Sequence, residues 1–155
     1  MVVPWRANWL KGQLGRLLKI EKKQVPIRPG MFRIPEEPRK PPYLYGGKCK
    51  SCETYFFPTR EICLNCGAEN MEEVPLSGKG KIYTYTIAWQ QVPGALVKVP
   101  YALAIVILEE GCQLHTVITE NWESLKVDME VEVYFEKMGE DEDGHDQMAY
   151  KFRAV

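Results

Sequence analysis

Two Cys-x-x-Cys pairs, Cys49/Cys52 and Cys63/Cys66, stand ten residues apart, and no other stretch restricts this chain so strongly. Each pair can set two thiolates on one side of a tight turn. Two such turns facing each other close a tetrahedron of four sulfurs around one metal. Zn²⁺ suits that demand, because it accepts four soft ligands and has no geometric preference of its own to violate. Gly67, directly after the second pair, can take the positive φ that such a turn needs. The intervening ETYFFPTREI is aromatic and β-branched, as expected of a short hairpin between two metal knuckles. Paired disulfides would require an oxidising compartment. The N-terminal MVVPWRANWLKGQLGR lacks the uninterrupted apolar stretch of a secretory signal, so a cytoplasmic setting is expected. Of five cysteines, four are assigned to metal and Cys112 is left over.

Composition adds an asymmetry. The net charge is −1, yet residues 1–35 carry eight Lys or Arg against the single acid Glu21, while residues 36–155 carry twelve against twenty. A basic arm precedes an acidic body, and such an arm can meet an acidic protein surface, a phosphate-bearing ligand or nucleic acid. With 45% hydrophobic residues the chain can bury a core, and no apolar run approaches the ~20 residues of a membrane-spanning helix.

In the arm, Trp5, Trp9, Leu10, Leu14, Leu17 and Leu18 recur at three- and four-residue steps with basic residues between them. That spacing predicts an amphipathic helix over about residues 4–23. Its apolar face packs on the rest of the chain, on a membrane surface, or on a partner, in which case Trp5, Trp9, Leu10 and Leu14 are the candidate contacts, since aromatic anchors dominate interfaces. Six prolines between Pro26 and Pro42 then predict an extended connector crossing a surface, the chain's own or a partner's.

Beyond Leu76 the pattern is one of strands: 79–90, a continuous apolar run at 102–108 read as a buried strand, 113–119, a cleanly alternating 130–136, and 148–154. Residues 121–129 read as a helical turn or loop, and the acidic 139–147 as a solvated loop with little reason to be ordered. Five strands in about 80 residues suit a small barrel of OB type. The expected fold class is therefore mainly β: an N-terminal amphipathic helix and Pro-rich arm (1–42), a zinc ribbon (43–75) and a five-stranded OB-type barrel (76–155).

Catalytic constellations are scarce. His115 falls in a strand and His145 in the acidic loop, and both read as structural or solvated. Cys112 has no neighbouring base in sequence to lower its pKa, so it reads as an unreactive thiol. A four-sulfur zinc has no open position for water and serves folding. Two rival functions remain. Single-stranded nucleic acid could stack on Tyr83, Tyr85 and Trp89, although an acidic barrel opposes a polyanion. Iron in the four-cysteine site could carry electrons, although the ten-residue spacer is short for it.

CKSCETYFFPTREICLNCG, with SGKGKIYTYTIAW, VPYALAIVILEEG and LKVDMEVEVYFE, resembles the rubredoxin-like zinc-ribbon/OB-fold family that accompanies thiolases. The likeness covers residues 45–155, and Phe57-Pro58-Thr59-Arg60 is among its more specific features. Two departures are Glu53 and Asp128, where glycines are usual. The resemblance implies a non-catalytic helper that joins a thiolase-like catalytic subunit, with synthases, lipid-transfer-type aldolases and hotdog-fold hydratases as other partners of the family. It also implies proximity to CoA or acyl-CoA. A polyanion with an adenine suits a basic, aromatic rim, so Lys48, Lys50 and Arg60, near Tyr55 and Phe56, are the candidate CoA-proximal residues. A solvated hairpin is the alternative.

Overall fold

The computed structural model describes residues 22–37 and 40–155. These residues form ten β-strands and one 3₁₀ turn (Trp122–Ser124), and no α-helix. This corrects the expected fold class. Lys22 and Lys23, the last residues of the expected helix, are not helical and lead into a strand, and the rest of that helix lies outside the described residues. The competing signal is local: Val25 and Pro26 pair with a barrel strand, and proline at 26 cannot supply the helical hydrogen bond.

The strands are β1 (Gln24–Pro26), β2 (Phe32–Arg33), β3 (Tyr43–Cys49), β4 (Tyr55–Phe56), β5 (Met71–Pro75), β6 (Lys79–Ala88), β7 (Tyr101–Leu108), β8 (Gln113–Ile118), β9 (Glu130–Glu140) and β10 (Asp146–Ala154). Strands β2 to β5 make a small sheet in which β3 pairs with β2, β4 and β5. The other sheet runs β1-β10-β9-β6-β7-β8. Its last five strands have the order of an OB barrel, left partly open between β8 and β10. That seam is bridged where the Tyr150 hydroxyl donates to the His115 carbonyl (3.0 Å).

One core serves both sheets. Ile82, Val106, Leu114, Ile118, Val131 and Phe152 fill the barrel, and Phe32, Leu44, Phe57 and Leu76 continue the same cluster under the small sheet. Phe32 packs on Phe135 (5.1 Å between centroids) and on Tyr150 (6.3 Å), while Phe57 meets Tyr150 edge-on at 5.9 Å. The proline-rich stretch is therefore more than a spacer. Its apolar residues between the prolines strap the chain across its own barrel, and Arg33 holds the strap through an ion pair with Glu73 and by lying over the Tyr45 ring.

Two expectations within the barrel need correction. The run at 102–108 is buried on one face only: Ala102, Ala104, Val106 and Leu108 point inward, whereas Leu103 is 45% exposed. The acidic segment 139–147 is ordered, because β9 and β10 extend into it and close on a turn. There Asp141 accepts from the His145 amide (2.7 Å) and its backbone exchanges with His145 and Gly144. A carboxylate that mimics a backbone acceptor outweighs the repulsion expected from composition. In β3, Gly46 is required by close approach: a Cβ there would lie 2.3 Å from the Phe56 carbonyl oxygen.

Candidate metal centre and its basic rim

The two knuckles are built alike. In the first, the Cys49 amide donates to the Thr54 carbonyl (3.0 Å) and the Glu53 amide to the Cys49 carbonyl (2.8 Å). In the second, the Cys63 amide donates to the Ala68 carbonyl (2.9 Å) and the Gly67 amide to the Cys63 carbonyl (2.9 Å). Each turn is reversed by one residue in the left-handed region, Gly67 at φ 73° and Glu53 at φ 58°. Glu53 is thus a side chain held in a glycine's conformation. Asp128, the other departure noted in the sequence, sits at φ 65° for the same reason, placing its amide 2.8 Å from the Ile82 carbonyl.

The four sulfurs converge within 4.8 Å of one another. Cys49 Sγ lies 3.6 Å from Cys66 Sγ and Cys52 Sγ lies 3.5 Å from Cys63 Sγ. A tetrahedron with metal–sulfur bonds of about 2.3 Å has edges of about 3.8 Å, so the spacing fits one metal ion held by four thiolates. The first cysteine of each knuckle, Cys49 and Cys63, is buried, while Cys66 is exposed. Cys52 is supported by the Thr54 hydroxyl (3.2 Å) and the Asn65 amide (3.6 Å), with Asn65 also bonded to Thr54 (3.1 Å). Those bonds, the Thr54 side chain and backbone first, hold the Cys52 thiol down to about 5. The Cys49 thiol is lowered too, chiefly by the Cys52 amide. At Cys66 the Ala68 amide pulls downward, but hydrogen bonding to Cys52 and desolvation prevail and push it up to about 12. Four thiols this close cannot all ionise unless a cation compensates them. Neither Thr54 nor Asn65 was anticipated from sequence, although a hydroxyl and an amide beside a ligand are the types that orient one.

The three candidate CoA-proximal cations lie on this ribbon but are not equivalent. Lys48 Nζ sits over the Tyr55 ring (5.4 Å) and 3.7 Å from Glu53, and both neighbours, Tyr55 first, raise its pKa. Lys50 is 3.9 Å from Glu72. Arg60 lies over the Phe56 ring (5.4 Å) and has no ion-pair partner among the described residues. The partner-binding candidates Trp5, Trp9, Leu10 and Leu14 lie outside the described residues.

Elsewhere the chemistry is quiet. Burial, with Glu110 adding to it, pushes the Cys112 thiol up to about 11. His145 Nδ1 is 3.0 Å from Asp141 and tied into the β9–β10 turn. Tyr83, Tyr85 and Trp89 do not form one stacking platform. Tyr83 is lifted out by a bulge between Ile82 and Thr84, Tyr85 donates inward to the Leu125 carbonyl (2.7 Å), and Trp89 meets Trp122 edge-on. Among the described residues, no helix is long and apolar enough to cross a membrane.

A four-thiolate ribbon sharing a core with an OB barrel defines a zinc-ribbon/OB-fold protein. Residues 37–72 match the ChsH2 rubredoxin-like zinc ribbon domain and residues 73–136 match the ChsH2 C-terminal OB-fold domain. The chain belongs to this DUF35 family of ChsH2-like proteins. It is 44% identical to a DUF35 domain-containing scaffold protein of Pyrococcus furiosus, over 72% of this chain and 83% of that one. It is 32% identical to the benzoylsuccinyl-CoA thiolase subunit BbsA of Thauera aromatica, over 83% of this chain and 88% of that one. Among solved structures it resembles a chain of the Ltp2-ChsH2(DUF35) aldolase, with a TM-score of 0.59 and 26% identity, over 72% of this chain and 84% of that one.

Proposed function

We propose that this chain is a zinc-containing accessory subunit of an acyl-CoA-processing complex, with a thiolase-type enzyme as its catalytic partner. The observation that carries the reading is the closed four-sulfur site. A metal held by four thiolates keeps no position for substrate or water, so its contribution is structural. The names of the relatives, a thiolase subunit and an aldolase complex, favour a catalytic partner that supplies the nucleophile and the acid–base groups. A benzoylsuccinyl-CoA thiolase is the sharper form of this reading, supported by the BbsA likeness and opposed by the higher identity to archaeal scaffold proteins. A reducing compartment, the cytoplasm, would keep the thiols available. Trp5, Trp9, Leu10 and Leu14 are proposed as partner contacts on their residue types alone.

Within the ribbon, Arg60 is the best-placed CoA contact, because Lys48 and Lys50 already have carboxylate neighbours. Purification from the native host, identification of the companion chain and elemental analysis for zinc test the main reading. Recovery of the chain alone, or with a nucleic acid, rejects it, and a coloured iron protein rejects the zinc assignment. In the assembled complex, Arg60→Ala should raise the KM for the CoA substrate several-fold with kcat retained, and an unchanged KM rejects the CoA contact.

A further inference from the structure

The barrel treats its two outward sides differently. On β9 and β10 the side away from the core carries paired charges: Lys151, itself buried, with Glu136 (2.5 Å) and Arg153 with Glu132 (2.7 Å). On β6, β7 and β8 the charge is confined to one end, Lys79 and Lys81 of β6, and the remaining outward positions hold no Lys, Arg or carboxylate. Cross-strand rows read Thr86–Leu103–Val117 and Thr84–Ile105–His115, with Lys81–Ile107–Gln113 beyond them. An antiparallel sheet facing water alternates apolar-in with polar-out, and β9 keeps to that rule whereas β7 breaks it at Leu103, Ile105 and Ile107.

The unpaired face is also shaped. It holds a depression of about 610 Å³ floored by Leu103, Ile105 and Val117, with Arg28 at its rim. A second hollow of about 220 Å³ adjoins it across Arg28 and His115, toward Met31 and Phe32. No carboxylate lines either hollow. Arg28 has no ion-pair partner among the described residues. The trough is therefore apolar along its floor and uncompensated positive at one end.

We infer that the outer face of β6–β7–β8 is a docking surface for a segment of the catalytic subunit that presents apolar side chains beside a carboxylate. The floor takes the apolar side chains and Arg28 takes the carboxylate, where a planar guanidinium can bind both oxygens at once. This rests on the reading that a catalytic partner exists, and it adds a contact remote in sequence from the four cysteines. Leu103 and Arg28 are exposed, so changing them leaves the barrel core intact.

The test uses the full chain with its purified catalytic subunit and reads Kd by calorimetry. Leu103→Glu and Arg28→Glu should each weaken binding at least tenfold, with circular dichroism and Tm unchanged. Should Leu103→Glu fail to fold, Arg28→Glu carries the test. Wild-type affinity in both variants overturns the inference and leaves the accessory role standing, whereas wild-type protein that recovers no acyl-CoA enzyme removes both. Two further results overturn it in favour of another occupant: a wild-type dimer in sedimentation that Leu103→Glu dissolves without changing Kd, or cis-parinaric acid binding lost in Leu103→Glu while the complex stays intact.

Discussion

Glu53 offers a test in which the sign is not obvious. Its backbone stands at φ 58°, the counterpart of Gly67 at φ 73° in the matching knuckle. The left-handed region costs a residue with a side chain about 1–2 kcal/mol. Glycine avoids that cost but loses about 0.5–1 kcal/mol in extra unfolded-state freedom. Glu53→Gly also gives up the 3.7 Å pair with Lys48, which contributes toward the low end of about 0–1 kcal/mol because the Glu53 side chain is 81% exposed. The balance favours the variant by about 0.5–1 kcal/mol, or roughly 2 °C in Tm for a chain of this size. The reverse change in the second knuckle, Gly67→Glu, should lower Tm by a similar amount. Differential scanning calorimetry of metal-loaded protein, with a chelator competition for metal affinity, reads both. A Tm that falls in Glu53→Gly, or holds in Gly67→Glu, would refute the claim that the two turns share one backbone requirement.

Other outcomes follow from the core and the charged edges. Phe32→Ala should cost about 3–5 kcal/mol, since the ring is 4% exposed and joins the strap to Phe135 and Tyr150, and urea unfolding monitored by tryptophan fluorescence would measure it. Cys112, with its thiol near 11, should stay unmodified by iodoacetamide at pH 8 in the folded protein and react only on denaturation, as peptide mass spectrometry would show. Glu140 is held down to about 2 by hydrogen bonds from Lys22 and Lys137. Its stabilisation is complete above its ordinary value of 4.5 and is lost as pH falls toward 2, so Lys137→Ala should flatten the acid limb of stability against pH.

The four-sulfur cluster was legible because the spacing of Cys49, Cys52, Cys63 and Cys66 already suggests their convergence, and the turn residue Gly67 announces itself. Thr54 and Asn65 were not, since nothing in a sequence says which hydroxyl or amide will reach a sulfur. The barrel strands were legible from alternation at 130–136 and from apolar runs. The same apolarity at 102–108 hid the outward face of β7, because periodicity cannot separate a strand buried on both sides from one awaiting a cover. Prolines pointed to an extended connector but not to Phe32 turning inward between them. Of the helical spacing only its last residues, Lys22 and Lys23, fall among the described residues, where they lead into the β pairing of Gln24–Pro26, and the acidic composition of 139–147 met a single well-placed Asp141 carboxylate. At 139–147 a local bond overrode a compositional average.

The strap through Phe32 ties the described ribbon and barrel into one packed core. Phe57 beside the knuckles and Phe32 in the strap both meet the Tyr150 ring of the barrel, so ribbon and barrel share one continuous aromatic contact. A subunit gripping the ribbon on one side and the β6–β8 trough on the other would have its two contact points set at a constant separation. The chain would then act as a gauge of distance between whatever it touches, and small changes at its aromatic hinge-pins would be felt as misalignment elsewhere.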